Sequence, residues 1–387
     1  MRFPEFKDDW NDYHLRDLCT FHSGGTPSID NVEYWEGEIP FVSAVAMHNT
    51  HIEKTPLTLT EKGLRDGSKQ LEAGNLLLLV RGSMLWNKIP ICYNDVDVAF
   101  NQDVKGIVPN SKTTSLFLLN WIQSHENRIK YMVTGTGIGA GKLDSEDLLA
   151  LNVKLPSLIE QKKIEKFLSL IDERIETQIR IINEIQSLIS GITQKISKHS
   201  SIRMTMLSEL LEERNEKNTA LFPVHSVSVS EGVINQIDYL GRSFAAADTS
   251  HYNVAHKGDI IYTKSPTGEF PFGIVKRNAI ESNVAVSPLY GVYKPISDDV
   301  AIYLHYYFCS PLNAQNYLHK LIQKGAKNTI NITNQRFVQN CIPLPDKKTL
   351  EGFVKLTTTV STKLKLEKSL LEKLQKQKRY LLTQMFV

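Results

Sequence analysis

Residues 155–175 read LPSLIEQKKIEKFLSLIDERI, and residues 344–364 read LPDKKTLEGFVKLTTTVSTKL. Each stretch closes a short apolar run with Leu-Pro and then turns charged and periodic. A shift of 189 positions aligns Leu155 with Leu344, Pro156 with Pro345 and Val153 with Ile342. The same shift aligns Ile164 with Phe353, Phe167 with Leu356, Ile171 with Val360, Ile175 with Leu364, Ile182 with Leu371, Ile185 with Leu374 and Ile192 with Leu381. The agreement lies in apolar character far more than in identity. That is the pattern of a duplicated structure whose surfaces have diverged.

Heptads counted from Ile164 place Ile164, Ile171, Gln178, Ile185 and Ile192 at a, and Leu168, Ile175, Ile182, Ile189 and Ile196 at d; nine of the ten are apolar. In the second copy Phe353, Val360, Glu367, Leu374 and Leu381 take a, and Thr357, Leu364, Leu371, Lys378 and Met385 take d; seven of the ten are apolar. Such a seam sustained over about five heptads predicts a coiled coil. At ~1.5 Å per residue each helix would be roughly 60 Å long. A stripe of that length needs a partner, and the other copy is the obvious one. Gln178 and Glu367 interrupt the seam at the same repeat position. Paired antiparallel, the helices would bring these residues together and fix the register. The alternative is that each tilts to solvent at the seam edge.

Before each helix lies a globular part. Gly74-Asn75-Leu76-Leu77 matches Gly258-Asp259-Ile260-Ile261, a turn entering an apolar strand. Residues 99–109, AFNQDVKGIVP, match 285–295, AVSPLYGVYKP. Short β-branched and aromatic runs punctuated by Gly, Pro and Asn predict mixed, mostly β domains. Helical patches are expected at 114–131 and 300–323, with charged, loop-like segments at 198–203 and 212–219. The fold class is α+β: two such domains separated by two long helices packed as an antiparallel coiled coil, with an internal pseudo-two-fold repeat. The boundaries expected are 1–156, 157–200, 201–345 and 346–387.

Composition narrows the class. Hydrophobic content of 41% suits a soluble protein with real cores. The longest apolar runs, such as 76–80, are too short for a bilayer, and MRFPEFKDDW has no signal-peptide core. Cys19, Cys92, Cys309 and Cys341 are scattered, with no CxxC pair and no zinc spacing, so free thiols in a reducing, cytoplasmic setting are expected. A net charge of +3 permits nucleic-acid binding without demanding it.

Several motifs tempt. GTGIGAGK, 135–142, departs from the P-loop, with Thr136 where its first Gly belongs and Leu143 where Ser or Thr is needed; Ala140 breaks GxGxxG. It reads instead as a flexible glycine-rich loop before a short helix at 145–149, although backbone amides there could also approach a DNA phosphate. Asp97, Asp103 and Lys105 resemble the acidic and D-x-K pieces of a metal-dependent nuclease, in which two carboxylates hold Mg²⁺ and a lysine assists water. The matching second-half segment, Pro288-Leu289-Tyr290, lacks them. The chain contains no Pro-Pro, which excludes the Asn/Asp-Pro-Pro-aromatic element of a nucleic-acid methyltransferase. His48 and His51 have no Cys or acidic set to complete a metal site.

These pieces in this order resemble the specificity (S) subunit of type I restriction–modification systems, the HsdS family. The first-half pieces are Ser23-Gly24-Gly25-Thr26-Pro27-Ser28, YWEGEIPFVS (34–43), LLLVRGS (77–83), Phe100-Asn101-Gln102 and LPSLIEQKKI (155–164). The second-half pieces are HSVSVSEGVI (225–234), DTSHYNVAHKGDIIY (248–262), VSPLYGVYKP (286–295) and the terminal helix. The Glu160-Gln161 pair of the first helix becomes Thr349-Leu350 in the second. The resemblance implies two target recognition domains, each reading half of a bipartite double-stranded DNA site, with the helices setting the unread spacer. It implies no catalysis and no cofactor or metal on this chain. It further implies two adenine-methylating modification subunits that use S-adenosylmethionine, and two ATP- and Mg-dependent restriction subunits. The non-DNA alternative is a coiled-coil scaffold.

Base reading needs polar side chains presented into a groove, and phosphate contacts need Lys, Arg and small residues. The first-half candidates are Gly24, Gly25, Thr26, Ser28, Arg81, Ser83, Lys88, Asn101, Gln102 and Lys142. The second-half candidates are Lys264, Ser265, Thr267, Lys276, Arg277, Lys324, Lys327 and Asn328. Each also fits a solvated surface role. Arg81, just after an apolar strand, is the foremost candidate.

Overall fold

The structure, a computed structural model, describes residues 2–137, 139–199, 201–237, 246, 248–324 and 330–386. It divides into two compact units, one of residues 1–178 with 370–387, the other of residues 179–369.

The first unit is built around a strand, Leu76–Leu79, whose four leucines are all buried. It lies inside a five-stranded sheet of order 19–23, 104–109, 76–79, 91–94, 51–52. A run with no polar alternation suits a strand covered on both faces. Gly74, at φ +87°, supplies the left-handed turn into it. A second sheet has the order 57–59, 35–42, 98–100, 70–71. The helix Ser115–Ser124 begins on the Thr114 cap and buries Phe117, Leu118, Leu119, Trp121 and Ile122. An antiparallel pair, Asn11–His14 with Asn152–Leu155, joins the two ends of the globular part, with Asn11 opposite Leu155.

The second unit repeats this plan. Its main sheet has the order 211–213, 291–295, 260–262, 275–277, all antiparallel, which matches the first four strands of the other sheet. Gly258, at φ +91°, repeats the turn of Gly74. The closing pair recurs as Arg203–Met206 with Cys341–Leu344, with Arg203 opposite Leu344. Thus Leu155 and Leu344, equivalent in the repeat, end equivalent strands. The helical patches resolve into Ser115–Ser124 and Glu126–Lys130 in one unit, and Asp298–Cys309 and Pro311–His319 in the other. The segments 198–203 and 212–219 are less loop-like than expected, because strands begin at Arg203 and Leu211.

The two long helices, α1 (Leu158–Ile196) and α2 (Lys347–Met385), each contribute to both units. In the first unit Ile164 and Leu168 of α1 share a core with Leu381, Leu382, Met385 and Phe386 of α2. In the second unit Ile192 and Ile196 of α1 pack against the core that holds Leu350 and Phe353 of α2. The start of each helix therefore lies beside the end of the other, an antiparallel pair. Every heptad a and d position is at least partly buried. Three polar seam residues have partners close by. Thr357 donates to Phe353 O at 2.8 Å, Lys378 pairs with Asp172 at 2.6 Å, and Glu367 pairs with Lys363. Gln178 and Glu367 are both buried.

The start of α1 is bolted to its own globular part. The Gln161 carboxamide oxygen accepts from Thr113 Oγ1 (3.0 Å) and Thr114 N (3.3 Å). Its Nε2 donates to Lys112 O (3.1 Å) and Pro156 O (2.9 Å). Arg2 donates twice to Glu160, each bond 2.8 Å. In α2 a buried Leu350 takes the place of Gln161, and Thr349 N donates to Asp346 Oδ1 at 2.9 Å. Among the described residues, no helix is long and apolar enough to cross a membrane.

Candidate nucleic-acid interface

The glycine-rich segment is not a simple loop. Thr134–Gly135 and Gly141–Lys142 form a hairpin, and Lys142 pairs across it with Thr134 and with Arg81 on the far side. Thr136 N donates to Ala140 O at 2.8 Å, closing the turn. The helix Ser145–Leu149 follows as expected, capped by Asp144, whose side chain accepts from Glu146 N and whose carboxyl pKa is held low mainly by that bond. Gly82, at φ +151°, carries the chain from Arg81 into the turn Ser83–Trp86.

This hairpin unites candidates distant in sequence. Arg81 and Lys142 are directly opposite one another, and both side chains are exposed. Each has an acidic neighbour, Asp103 at 4.0 Å from Arg81 and Asp144 at 3.6 Å from Lys142. Exposed pairs of this kind are weak, so both cations can be redirected to a phosphate. Ser83 is exposed and Lys88 half-buried on the same stretch. Two aromatic residues belong with this surface and were not among the sequence candidates. Trp86 is 47% exposed, with its indole N–H donating to Gly139 O at 3.0 Å, and Tyr131 is 92% exposed. Large aromatic residues flanking a glycine-rich, basic segment were the available signal.

In the Gly24–Ser28 loop the two glycines pack against the protein itself. A Cβ on Gly24 would meet Phe100 O at 2.0 Å, and one on Gly25 would meet Gly67 O at 2.7 Å. The close approach these glycines permit is to the protein's own backbone. Thr26 Oγ1 donates to Gln102 Oε1 at 2.7 Å, so two exposed candidates are joined to each other, and Ser28 is exposed. Asn101 is buried and its side chain accepts from Asp103 N at 3.2 Å, a turn-forming role that keeps it from a groove.

In the second unit Lys264 is half-buried at φ +63°, its ammonium pKa lowered by burial, while Ser265 and Thr267 are exposed on the following turn. Lys276 is a correction. It is 5% exposed, with Nζ donating to Cys309 Sγ at 3.3 Å, so it cannot reach a phosphate. Arg277 is mostly covered and pairs with Asp298. Lys324 lies on a short strand, Gln323–Lys324, opposite Ile330. Lys327 and Asn328 lie outside the described residues.

The nuclease reading finds no support. Asp97 is occupied in structure, accepting from Gln70 Nε2 and Ala73 N, both at 2.8 Å. Asp103 faces Arg81, and Lys105 donates to Ser23 Oγ. His51 pairs with Asp95 at 3.1 Å. Among the described residues no group of three His, Cys, Asp or Glu side chains could hold a metal.

Fold and surface thus define a class: a duplicated protein whose two similar β-rich units are carried on one antiparallel helix pair. Residues 7–187 match the family model for the type I restriction modification DNA specificity domain. Over that part the chain is similar to the specificity subunits of type I restriction–modification systems. It is 25% identical over 205 residues to the type I restriction enzyme EcoR124I/EcoR124II specificity subunit of Escherichia coli, covering 52% of this chain and 47% of the relative. It is 27% identical over 176 residues to the MjaIX specificity subunit of Methanocaldococcus jannaschii, covering 44% of this chain and 39% of the relative. The chain therefore matches less than half the length of these relatives. In fold it is similar to the S subunit of a type I system from M. genitalium, with TM-score 0.58, 15% identity and coverage of 100% of this chain and 99% of that one. A chain from a study of complex assembly in the type I R-M system matches with TM-score 0.54, 12% identity and coverage of 99% and 98%.

Proposed function

We propose that this chain is the DNA-reading, non-catalytic subunit of a type I restriction–modification complex. Each β-rich unit reads one half of a bipartite double-stranded site, and α1 with α2 sets the unread spacer. The observation that carries this reading is the repeated strand order, which gives one chain two readers of the same design. Divergent surfaces on a shared scaffold suit two different half-sites. The boundaries of the readers are residues 1–156 and 201–345, with 157–200 and 346–387 as the spacer helices. Arg81, Lys142, Lys88 and Lys264 supply cations for phosphates. Ser83, Thr26, Gln102, Ser28, Ser265 and Thr267 supply polar groups for bases or backbone. Two adenine-methylating subunits using S-adenosylmethionine, and two ATP-dependent restriction subunits, complete the assembly. A net charge of +3 fits weak binding by the chain alone and a large contribution from those partners.

The test replaces residues 1–155 with the equivalent segment of a relative and sequences the methylated sites made with the modification subunit. One half-site changes and the other stays. A change in both, or in neither while methylation persists, overturns the proposal.

A further inference from the structure

Lys276, which the sequence offered to DNA, is buried in the second unit, and a buried ammonium needs a counter-charge. Among the described residues no carboxylate pairs with it, and its hydrogen-bond acceptor is Cys309 Sγ at 3.3 Å. The imidazole of His305 lies one helical turn before Cys309. Its Nδ1 is 3.2 Å from the N–H of Arg277 and therefore accepts. A neutral imidazole with Nδ1 as acceptor carries its proton on Nε2. That Nε2–H lies 3.8 Å from the same sulfur. The thiol of Cys309 thus faces one ammonium and one ring N–H. Burial by itself would raise the pKa of this thiol, but the His305 ring and the Lys276 ammonium act against it and lower the value. Tyr306 on the same helix adds a phenol whose pKa is raised, chiefly by burial, and Arg277 keeps its charge directed to Asp298. The other buried thiols differ sharply, since burial pushes Cys19 and Cys92 up to about 12.

We propose that Lys276 and His305 hold Cys309 as a thiolate, which makes it a modification site for small hydroperoxides. Cys309 as a residue is partly exposed. In the step the sulfur attacks one peroxide oxygen, the S–O bond forms and the O–O bond breaks. Hydroxide (from hydrogen peroxide) or alkoxide (from an alkyl hydroperoxide) leaves and takes up a proton from solvent as water or alcohol; sulfur is oxidised to the sulfenic acid and the peroxide is reduced. The product is formed beside Lys276 and removes its thiolate counter-charge.

The full chain is alkylated with iodoacetamide across a pH series, and each cysteine is read by peptide mass spectrometry. Cys309 reaches its plateau rate by about pH 7, where an ordinary thiol is still rising toward its pKa near ~8.5. Lys276→Met lowers its rate at about pH 5, below both pKa values, by roughly tenfold, the change expected there for a one-unit rise in pKa. Hydrogen peroxide followed by a sulfenic-acid trap marks Cys309 ahead of Cys19 and Cys92. A Cys309 rate still climbing above pH 8, or an absence of both label and trap in the native chain, overturns the proposal. If Lys276→Met does not fold, the thiolate ultraviolet absorbance of wild type minus Cys309→Ser at neutral pH decides, and a zero difference overturns it.

Discussion

Arg81 and Lys142 sit directly opposite each other on adjacent antiparallel strands, both side chains in solvent. Two like charges at facing positions repel, and the fold tolerates them by placing Asp103 and Asp144 beside them. A surface that keeps paired cations at the edge of a hairpin is poised for a polyanion. Replacing both with Ala should weaken DNA binding by the complex on all sequences. It should also lower the salt slope of log K by about 1 for each phosphate no longer neutralised. Unfolding free energy should move by no more than about 0.5 kcal/mol. Titrations at several salt concentrations read the slope, and an unchanged slope removes these residues from the interface.

Gln161 makes four hydrogen bonds from a fully buried carboxamide, fixing the entry of α1. Gln161→Leu would leave buried donors and acceptors without partners, at a cost of about 3 kcal/mol. Denaturant unfolding measures it, and a cost below about 1 kcal/mol would mean that the bonds are replaced by water.

Gly24 and Gly137 separate packing from recognition. Gly24→Ala places a Cβ 2.0 Å from Phe100 O, so it should destabilise the first unit by about 2 kcal/mol or more. A Cβ added at Gly137 would meet nothing within 4 Å among the described residues, so Gly137→Ala should stay within about 0.5 kcal/mol. Equal thermal shifts for the two variants would contradict this.

Glu165, on α1, has a carboxyl pKa raised chiefly by burial, despite a hydrogen bond from Thr114. A raised folded-state pKa contributes stability that is complete below the unfolded value, near ~4.3, and is lost as pH rises through the folded value. Glu165→Gln retains an acceptor for Thr114 and carries no charge. It should therefore raise the melting temperature at neutral pH and show little gain in acid. A gain confined to low pH would reverse the assignment.

Gln178 and Glu367 occupy the same heptad position and are both buried. We propose that they fix helix register. Changing both to Leu should increase stability while allowing a second register, seen as a broadened spin-label distance between the globular parts. A single unchanged distance would leave them without that role.

The periodicity of residues 158–196 and 347–385 was readable because a helical seam is a local pattern: spacing alone says which side chains share a face. The repeat was readable for the same reason, from Leu155-Pro156 and Leu344-Pro345 onward. The strand Leu76–Leu79 and the exposed Arg81 after it also followed from local order. Individual interface residues did not. Asn101 became a buried turn residue, Gly24 a close neighbour of Phe100, and Trp86 an exposed partner of Gly139.

By itself, then, the sequence determined the duplication, the two long helices and the likeness to type I specificity subunits. Tertiary structure decided that α1 and α2 run antiparallel, that Gln161 ties α1 to Thr113, and that Lys276 turns inward to Cys309 rather than outward to DNA. The reason is range. Helical and strand periods are written in neighbouring residues, whereas the fate of a lone polar side chain depends on partners tens of positions away, brought near only when the chain folds.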